Sequence, residues 1–379
     1  MRHPSAGGTS LVEPAGLDPV AARDVLERYY DEGWTDGLPV VPCSESLLAE
    51  FLGQVSRDPE DVVFSMPHLN RTCSVRLAAV NAAMAGCRPE YFPVVLAAWE
   101  ALDAEGYAGK GIWQSTTGNA TLLLVNGPIR TRLGVNGAGN VFGSGFRANA
   151  TIGRAIRLTA MNVFGLRPHQ LDQATQGTPA KYTCCIAENE EQSPWAPLHE
   201  ELGFARHEST VTAMMMRSTV HVEARHTVVG DQLLNDVANT VARTGALVHE
   251  TVSVCLVLGP EHAHLLARGG LTRRDVQEAV FDKAVTTRRS LDAAGKAGVS
   301  RSTRWRLPSE HPDAVSDGEA NDIREANDIR EANDIRALNS PEAVVVVVAG
   351  AFNAGVSTVV ETFGPRGGRP AISRVKERQ

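Results

Sequence analysis

The chain has 379 residues, and its balance of 43% hydrophobic and 21% charged residues is typical of a globular protein with a large core. The formal net charge of −7 argues against nucleic acid as a partner. The longest apolar run, AVVVVVAGAF at 343–352, fits a buried strand and is too short to span a membrane.

The first predicted segment, residues 1–16, is rich in Gly, Ser and Pro and indicates a flexible leader. It contains no apolar stretch typical of a secretory signal, so we expect a cytoplasmic protein. The six cysteines are scattered and form no CxxC motif. This pattern argues against a disulfide framework, a thioredoxin-type redox pair and a closed cysteine zinc site.

Four helices are predicted before the first clear strand. The first begins after the N-cap Asp18, has Pro19 at its first position and ends at Gly33. The second begins near Ser44, and SVRLAAVNAAMAG, closed by Gly86, and PEYFPVVLAAWEALDA follow. The strand NATLLLVNGP comes next, and after it a glycine-rich loop leads into a helix from about residue 150 to residue 163.

The remainder of the chain alternates strand and helix patterns. Asp231 is predicted to cap one of these helices and Gly245 to end it. The polar segment 286–340 contains three EANDIR hexads, from Glu319 to Arg336, which favour a solvated helix or a mobile loop. Further strands are predicted at KYTCCIAEN, STVTAMMMRSTVHV, TVSVCLVLG and EAVVVVVAG, and further helices at DQLLNDVANTVARTGA, PEHAHLLARGG and TRRDVQEAVFDKA.

This mixture predicts an α/β or α+β fold with a mixed sheet flanked by helices. The segment CRPEYFPVVLAAWEAL with the later strand ATLLLVNGP resembles in layout GPEHAHLLARGGLTRRDVQEAVF with EAVVVVVAGAF. We therefore expect two related α/β halves, 17–210 and 211–379.

The glycine-rich stretch GVNGAGNVFGSGFRANATIGRAIR, residues 134–157, raises the question of a phosphate-binding loop. Its GSGFRA matches G-x-G-x-x-G/A, but the clear strand ends far upstream and no Gly-Lys-Ser/Thr occurs, which argues against a nicotinamide or flavin dinucleotide. Asn149 or Thr151 as helix cap, flanked by Arg147 and Arg154, would instead bind a small anion. The alternative, of equal weight, is a tight loop at a subunit or domain contact, with its arginines in surface ion pairs.

A second candidate region follows the strand KYTCCIAEN. Glu188 and Glu190 lie in an acidic run with Glu191, and His199 follows a Pro-Trp-x-Pro turn. Carboxylates and an imidazole together serve acid–base chemistry or bind a divalent metal, whose identity the sequence leaves open. The alternative is a solvated acidic turn.

Two further residues are candidates. Cys87 precedes a predicted helix start, where a thiol can have a lowered pKa and act as a nucleophile; Cys73 is the reserve candidate. The alternative for Cys87 is a small buried apolar side chain. Asp36, in WTDGLP, either points into a site or caps its turn.

These stretches together resemble a poorly characterised bacterial family with the motifs TDGLPVVPP, MAGCRPEYFPVV, NxFGxGxRANATIGRA and ENEExSPWxPLH. The resemblance runs from about Tyr29 to Thr210, with GPEHAHLLARGGLTRRDV and VVVVVAG beyond it. Members are often loosely labelled thioredoxins or thiol-disulfide oxidoreductases, a label that conflicts with the missing CxxC. Cys43 replaces the usual second proline, and the altered segments TVHVEARHTVVG and AFNAGVSTVVETFG indicate a specialised or partly degenerate member.

The leading hypothesis is a homo-oligomeric enzyme that acts on a small anionic metabolite in a specialised biosynthetic pathway. Its expected chemistry is that of a lyase, a hydrolase or a group-transfer enzyme. Arg147, Asn149, Thr151, Arg154 and Asp36 would bind the substrate, and Glu188, Glu190, His199 and Cys87 would be catalytic. The alternative is a non-catalytic or scaffolding subunit that needs a partner protein.

Overall fold

The structure of the chain is a computed structural model. The expected leader, 1–16, lies outside the described residues, as does most of the EANDIR repeat. The structure describes residues 18–105, 111–243, 245–246, 252–296, 334–364 and 370–378.

Helices and strands are interspersed along the described part of the chain. The helices are α1 (Pro19–Asp31), α2 (Glu45–Leu52), α3 (Val75–Met84), α4 (Phe92–Glu105), α5 (Pro128–Leu133), α6 (Arg147–Asn162), α7 (Leu198–Glu201), α8 (Gly230–Val241), α9 (Pro260–Arg268), α10 (Arg273–Lys283) and α11 (Arg288–Ala293). The strands are β1 (Val62–Met66), β2 (Arg71–Ser74), β3 (Ala120–Asn126), β4 (Cys185–Ala187), β5 (Thr210–Glu223), β6 (Val252–Leu258), β7 (Val285–Thr287), β8 (Asp334–Arg336), β9 (Val344–Val348), β10 (Val356–Phe363) and β11 (Ala371–Arg374).

The predicted starts of the first helices are confirmed. The Asp18 carboxylate accepts a hydrogen bond from the backbone N–H of Val20 at the start of α1, and Ser44 caps α2 in the same way. Helix α3 is followed by Gly86, whose φ of +88° lies in the left-handed region that glycine tolerates.

Two predicted caps are wrong. Helix α6 begins at Arg147, so Asn149 and Thr151 lie inside its first turns instead of capping it. Helix α8 has Val229 at its N-cap and ends at Val241, so neither Asp231 nor Gly245 sets its limits. In both helices the N-cap residue, Phe146 or Val229, has an apolar side chain that offers no acceptor to the first backbone N–H groups.

The predicted mixed sheet flanked by helices is confirmed. Its seven strands run in the order β4-β3-β5-β10-β6-β9, with β11 also paired to β5. The pairs β3–β4 and β6–β9 are parallel and the others are antiparallel. Strands β3, β6 and β9 are buried along their whole length, which explains their continuous apolar sequences.

The sheet consists of two halves, β4-β3-β5 and β9-β6-β10, in which corresponding strands occupy corresponding places counted from the two edges. Each half has a strand followed by Gly-Pro (β3 or β6), a parallel neighbour (β4 or β9) and an antiparallel neighbour (β5 or β10). The sheet therefore matches β3 with β6, and the predicted match between β3 and β9 is wrong. The error arose because helix layout was compared, whereas the Gly-Pro turn is the feature that the halves share.

The sheet curls until its two edge strands meet at their carboxyl ends. The backbone N–H of Asn189, just after β4, donates to the carbonyl of Val348 in β9 at 2.7 Å. Apolar side chains of both halves, such as Leu124 and Val257, form one cluster inside the curl. Helices α2, α3, α4 and α6 cover the outer face of one half, and α8, α9 and α10 cover the other.

Candidate functional site

The carboxylate of Glu188 lies in a fully occupied buried network. Its Oε2 accepts hydrogen bonds from Asn126 Nδ2 at 2.6 Å and from the backbone N–H of Leu198 at 2.8 Å. Its Oε1 accepts from Arg273 Nη2 at 3.1 Å, and both side chains of this ion pair are almost completely buried. Glu188 therefore fastens the chain after β4 to α7 and α10.

The next carboxylate, Glu190, holds the start of helix α5. Its Oε1 accepts from the backbone N–H of Gly127 at 2.7 Å and from Asn126 Nδ2 at 3.1 Å. Its Oε2 pairs with Arg130, which also binds the exposed Glu191. The structure thus brings Glu188 and Glu190 together on Asn126, but both carboxylates already have protein donors. We call Glu188, Glu190 and Glu191 the acidic cluster.

His199 lies beside the acidic cluster and is completely buried. Its Nδ1 is 4.0 Å from Glu190 Oε1, and neither ring nitrogen has a hydrogen-bond partner among the described residues. Throughout the residues that the structure describes, no group of three or more His, Cys, Asp or Glu side chains is arranged to hold a metal ion. The predicted acid–base residues are therefore close together, and His199 is enclosed by protein.

The glycine-rich loop packs directly against the chain at the end of β4. A Cβ atom on Gly137 would lie 2.6 Å from the carbonyl oxygen of Ala187, closer than such atoms approach. Asn149 holds the same junction: its Oδ1 accepts from the N–H of Asn136, and its Nδ2 donates to the carbonyl of Cys185 at 2.9 Å. Glycine is required at position 137 because the backbone of the loop contacts the backbone at the end of β4 directly.

The arginines of α6 bind protein acceptors. Arg147 donates through Nε and Nη2 to the carbonyl of Gly86, at 3.0 and 2.9 Å. Arg154 forms a two-point ion pair with Asp36, at 2.8 and 2.7 Å, and also donates to the carbonyl of Pro39. Thr151 donates its hydroxyl to the carbonyl of Arg147. These contacts fit the alternative in which the arginines are structural.

Burial works against the predicted role of Cys87, and of Cys73, as a nucleophile. Burial raises the pKa of the Cys87 thiol to about 12, although Thr151, Arg147 and Arg154 act in the opposite direction. Burial likewise raises the pKa of Cys73 to about 12. All six cysteines are free, and five of them are buried. The nucleophile hypothesis required a lowered thiol pKa, and the observed burial gives the reverse.

An open cavity of about 590 Å³ lies between α6 and the connection that joins α6 to β4. Arg157 and Met161 line it from the helix, and Asp172, Lys181 and Tyr182 line it from the connection. We call this cavity the lysine pocket. Asp36, one of the predicted substrate-binding residues, also reaches its wall.

Three charged side chains meet at the wall of the lysine pocket. Lys181 Nζ donates to both oxygens of Asp172, at 2.8 and 2.6 Å, and Arg157 Nη2 donates to Asp172 Oδ2 at 2.8 Å. Burial lowers the pKa of Lys181, although the Asp172 carboxylate acts against this. Burial alone would raise the pKa of Asp172, but the hydrogen bonds from Lys181 and Arg157 hold it below its ordinary value.

The connection that forms the outer wall is held in an unusual backbone shape. His169, which lines the pocket, has a φ of +64°, a conformation uncommon for a residue with a side chain. Gly177 packs on Gly118, where an added Cβ would lie 2.6 Å from the Cα of Gly177. The N–H of Thr175 also donates to the carbonyl of Thr116. The pocket wall is thus fixed to the segment before β3.

Sequence reasoning missed Arg157, Asp172 and Lys181. The available signal was the long irregular connection LRPHQLDQATQGTPAKY, because long ordered loops within compact domains are often functional. It lies between two regions that were singled out, and its charged residues are too far apart to form a recognisable motif.

The sequence matches no family model, and comparison with curated proteins gives no significant match. Within the described residues, the helices fall short of the length and apolar character needed to cross a membrane. Function is therefore inferred from the geometry of the site itself.

Proposed function

We propose that this chain is an enzyme that binds a small anionic metabolite in the lysine pocket and catalyses a lyase, hydrolase or group-transfer reaction there. The observation that carries the proposal is the convergence of Lys181 and Arg157 on Asp172 at the wall of a 590 Å³ cavity. Cavities with a few converging polar groups and shifted pKa values are typical of active sites.

The charge of this group favours an anion. Two cationic side chains face one carboxylate, so the three residues carry one net positive charge when all are ionised. A second carboxylate at the wall, Asp36, is neutralised by its ion pair with Arg154. The side chains of Arg157 and Lys181 remain 10% and 15% exposed, so both can contact a ligand in the cavity. Charges in such a partly enclosed place act more strongly than in open water.

Each of the three residues has a distinct part in the proposed site. Arg157, with its planar fork of donors, binds a carboxylate or phosphate. Lys181 transfers protons, since its lowered pKa makes the neutral amine more accessible than in an ordinary lysine. Asp172 orients both cations and accepts a proton from Lys181.

One other cavity and the acidic cluster are weaker candidates for the site. A second cavity of about 590 Å³ lies beside α9, with Arg225, Glu261, His262 and Arg268 in its lining. Arg225 there is bonded to Glu223 on an exposed surface, where screening weakens an ion pair. In the acidic cluster, the carboxylates of Glu188 and Glu190 are already bonded to protein donors, and Glu191 is exposed.

The test measures anion binding by calorimetry, with inorganic phosphate, pyruvate and succinate as probes. Lys181→Met and Arg157→Met should each weaken binding by about tenfold or more, because each removes a charged contact in a partly buried site. Lys283→Met and Arg132→Met, which remove surface ion pairs, should bind as the unaltered protein does.

Thermal unfolding of each variant checks that it is folded. If no probe binds the unaltered protein, or if Lys181→Met folds and binds normally, the proposal fails. That result would favour the alternative, a non-catalytic subunit that needs a partner protein.

A further inference from the structure

We propose that Lys181 forms a covalent iminium (Schiff-base) linkage with the carbonyl carbon of a 2-oxo acid held in the lysine pocket. This inference rests on the proposed function, because it uses the same pocket, and it names the substrate class and the covalent step. The geometry of Lys181, Asp172 and Arg157 carries it.

The spacing of the two cations suits a carboxylate next to a carbonyl. Arg157 Nη2 and Lys181 Nζ bond the same oxygen of Asp172, at 2.8 and 2.6 Å, so the sum of these two distances limits their separation. In a 2-oxo acid the carboxylate and the carbonyl are on adjacent carbon atoms. One ligand of this class can thus contact the guanidinium through its carboxylate while its carbonyl carbon lies near Nζ.

The position of Asp172 suits the proton transfers that the linkage requires. Both of its oxygens accept hydrogen bonds from Lys181 Nζ, which places a proton acceptor in direct contact with the ammonium. The same hydrogen bonds stabilise the ion pair, so the neutral amine is the minor form from which the attack begins. Burial of Lys181 favours the neutral amine. Asp172 is itself anchored by the backbone N–H of Ala174 at 3.1 Å.

The step balances without an oxidant, a reductant or a cofactor. The neutral amine donates its electron pair to the carbonyl carbon, and the carbonyl π pair moves to oxygen. That oxygen gains two of the three original ammonium protons, through Asp172, and leaves as water. Nitrogen keeps one proton and forms a double bond to carbon, so the iminium ion carries the single positive charge that the ammonium had.

The cavity also accommodates the remainder of such a substrate. Met161 and Tyr182 also line the cavity and give it an apolar portion. The protonated imine withdraws electrons from the neighbouring carbon, which is the activation that cleavage or addition at that carbon requires. The substrate class is therefore a 2-oxo acid with a small side chain, and the reaction class within the proposed function is a lyase.

Reductive trapping tests the linkage directly. The full-length protein is incubated separately with pyruvate, glyoxylate and 2-oxoglutarate, reduced with borohydride and analysed by intact mass and peptide mapping. We expect one reduced adduct per chain, on Lys181, with at least one of the three acids. Lys181→Arg, which keeps the positive charge, should reduce trapping by about tenfold or more, whereas Lys283→Arg should not.

Competition distinguishes this inference from the proposed function. Inorganic phosphate has no carbonyl, so it should bind, form no adduct and lower the trapping of the oxo acid. The covalent step is overturned, while anion binding stands, if anions bind the unaltered protein but none of the three acids is trapped. The same conclusion follows if Lys181→Arg forms as much adduct, on other lysines, as the unaltered protein does. If no anion binds at all, both proposals fail.

Discussion

The acidic cluster and the lysine pocket contain similar ion-pair networks, but their cationic side chains differ in exposure. In each, a buried carboxylate accepts hydrogen bonds from an arginine and from a backbone N–H. The Arg273 side chain beside Glu188 is only 2% exposed, whereas Lys181 and Arg157 keep 15% and 10% of theirs exposed. The difference teaches that similar ion-pair networks can differ in access: the cations around Asp172 line a cavity, whereas the arginine that pairs with Glu188 is enclosed by protein.

The largest expected effect comes from breaking the buried network around Glu188. Arg273→Met should lower the free energy of unfolding by about 3–5 kcal/mol, because it leaves Glu188 buried without its counter-charge. The neighbouring Arg274 is half exposed on the same helix, so Arg274→Met should change the free energy of unfolding by less than about 0.5 kcal/mol. Urea denaturation measures both, and a loss below about 1 kcal/mol for Arg273→Met would show that the network contributes little.

The pocket carboxylate should show its role in the pH dependence of stability. The pKa of Asp172 is lower in the folded than in the unfolded chain. Its contribution is therefore complete above the ordinary carboxylate range, near pH 4, and is lost as the pH falls through the folded-state value. At pH 7, Asp172→Asn should cost about 2–3 kcal/mol, and this difference should shrink steadily below about pH 4.

Asp61→Asn provides the matched control, because Asp61 forms an ion pair with Arg57 on the surface and is 49% exposed. Chemical denaturation of both variants between about pH 7 and pH 2.5 gives the comparison. A difference for Asp172→Asn that stays constant at acid pH would contradict the pairing with Lys181 and Arg157.

The smallest expected effect concerns the histidine beside the acidic cluster. His199→Leu should change the free energy of unfolding by less than about 1 kcal/mol, because neither ring nitrogen loses a protein partner. His262 is equally buried but bonds Ser357 Oγ at 2.7 Å, so His262→Leu should cost about 1–3 kcal/mol. Thermal and urea unfolding compare the two, and a loss above about 2 kcal/mol for His199→Leu would reveal a partner for its imidazole.

Local sequence patterns predicted a large part of the fold. Asp18 and Ser44 marked helix starts because caps are local, and β3, β6 and β9 were evident from continuous apolar runs. Strand β10 was missed because VSTVVETF mixes polar and apolar residues, and its burial depends on pairing with both β5 and β6. Such pairing is set by the whole sheet, which no local window contains.

The candidate site was predictable only in part. The sequence correctly grouped Glu188 with Glu190, because they are two positions apart after one strand. Their role depends on Arg273 and Asn126, which come from distant segments of the chain and donate hydrogen bonds to the carboxylate oxygens. Asp172 and Lys181 lie in a connection without periodicity, so the cavity that gives them chemistry exists only once α6 packs against that connection.

The contact between Gly118 and Gly177 has a consequence for engineering the pocket. A side chain at Gly118 would collide with the backbone of Gly177, and the φ of Gly118 is +79°. Any library that alters ligand preference by varying the connection from residue 166 to residue 182 depends on this position, although it precedes β3 and lines no part of the cavity. Holding Gly118 fixed, together with Gly177, preserves the wall while the residues facing the ligand are exchanged.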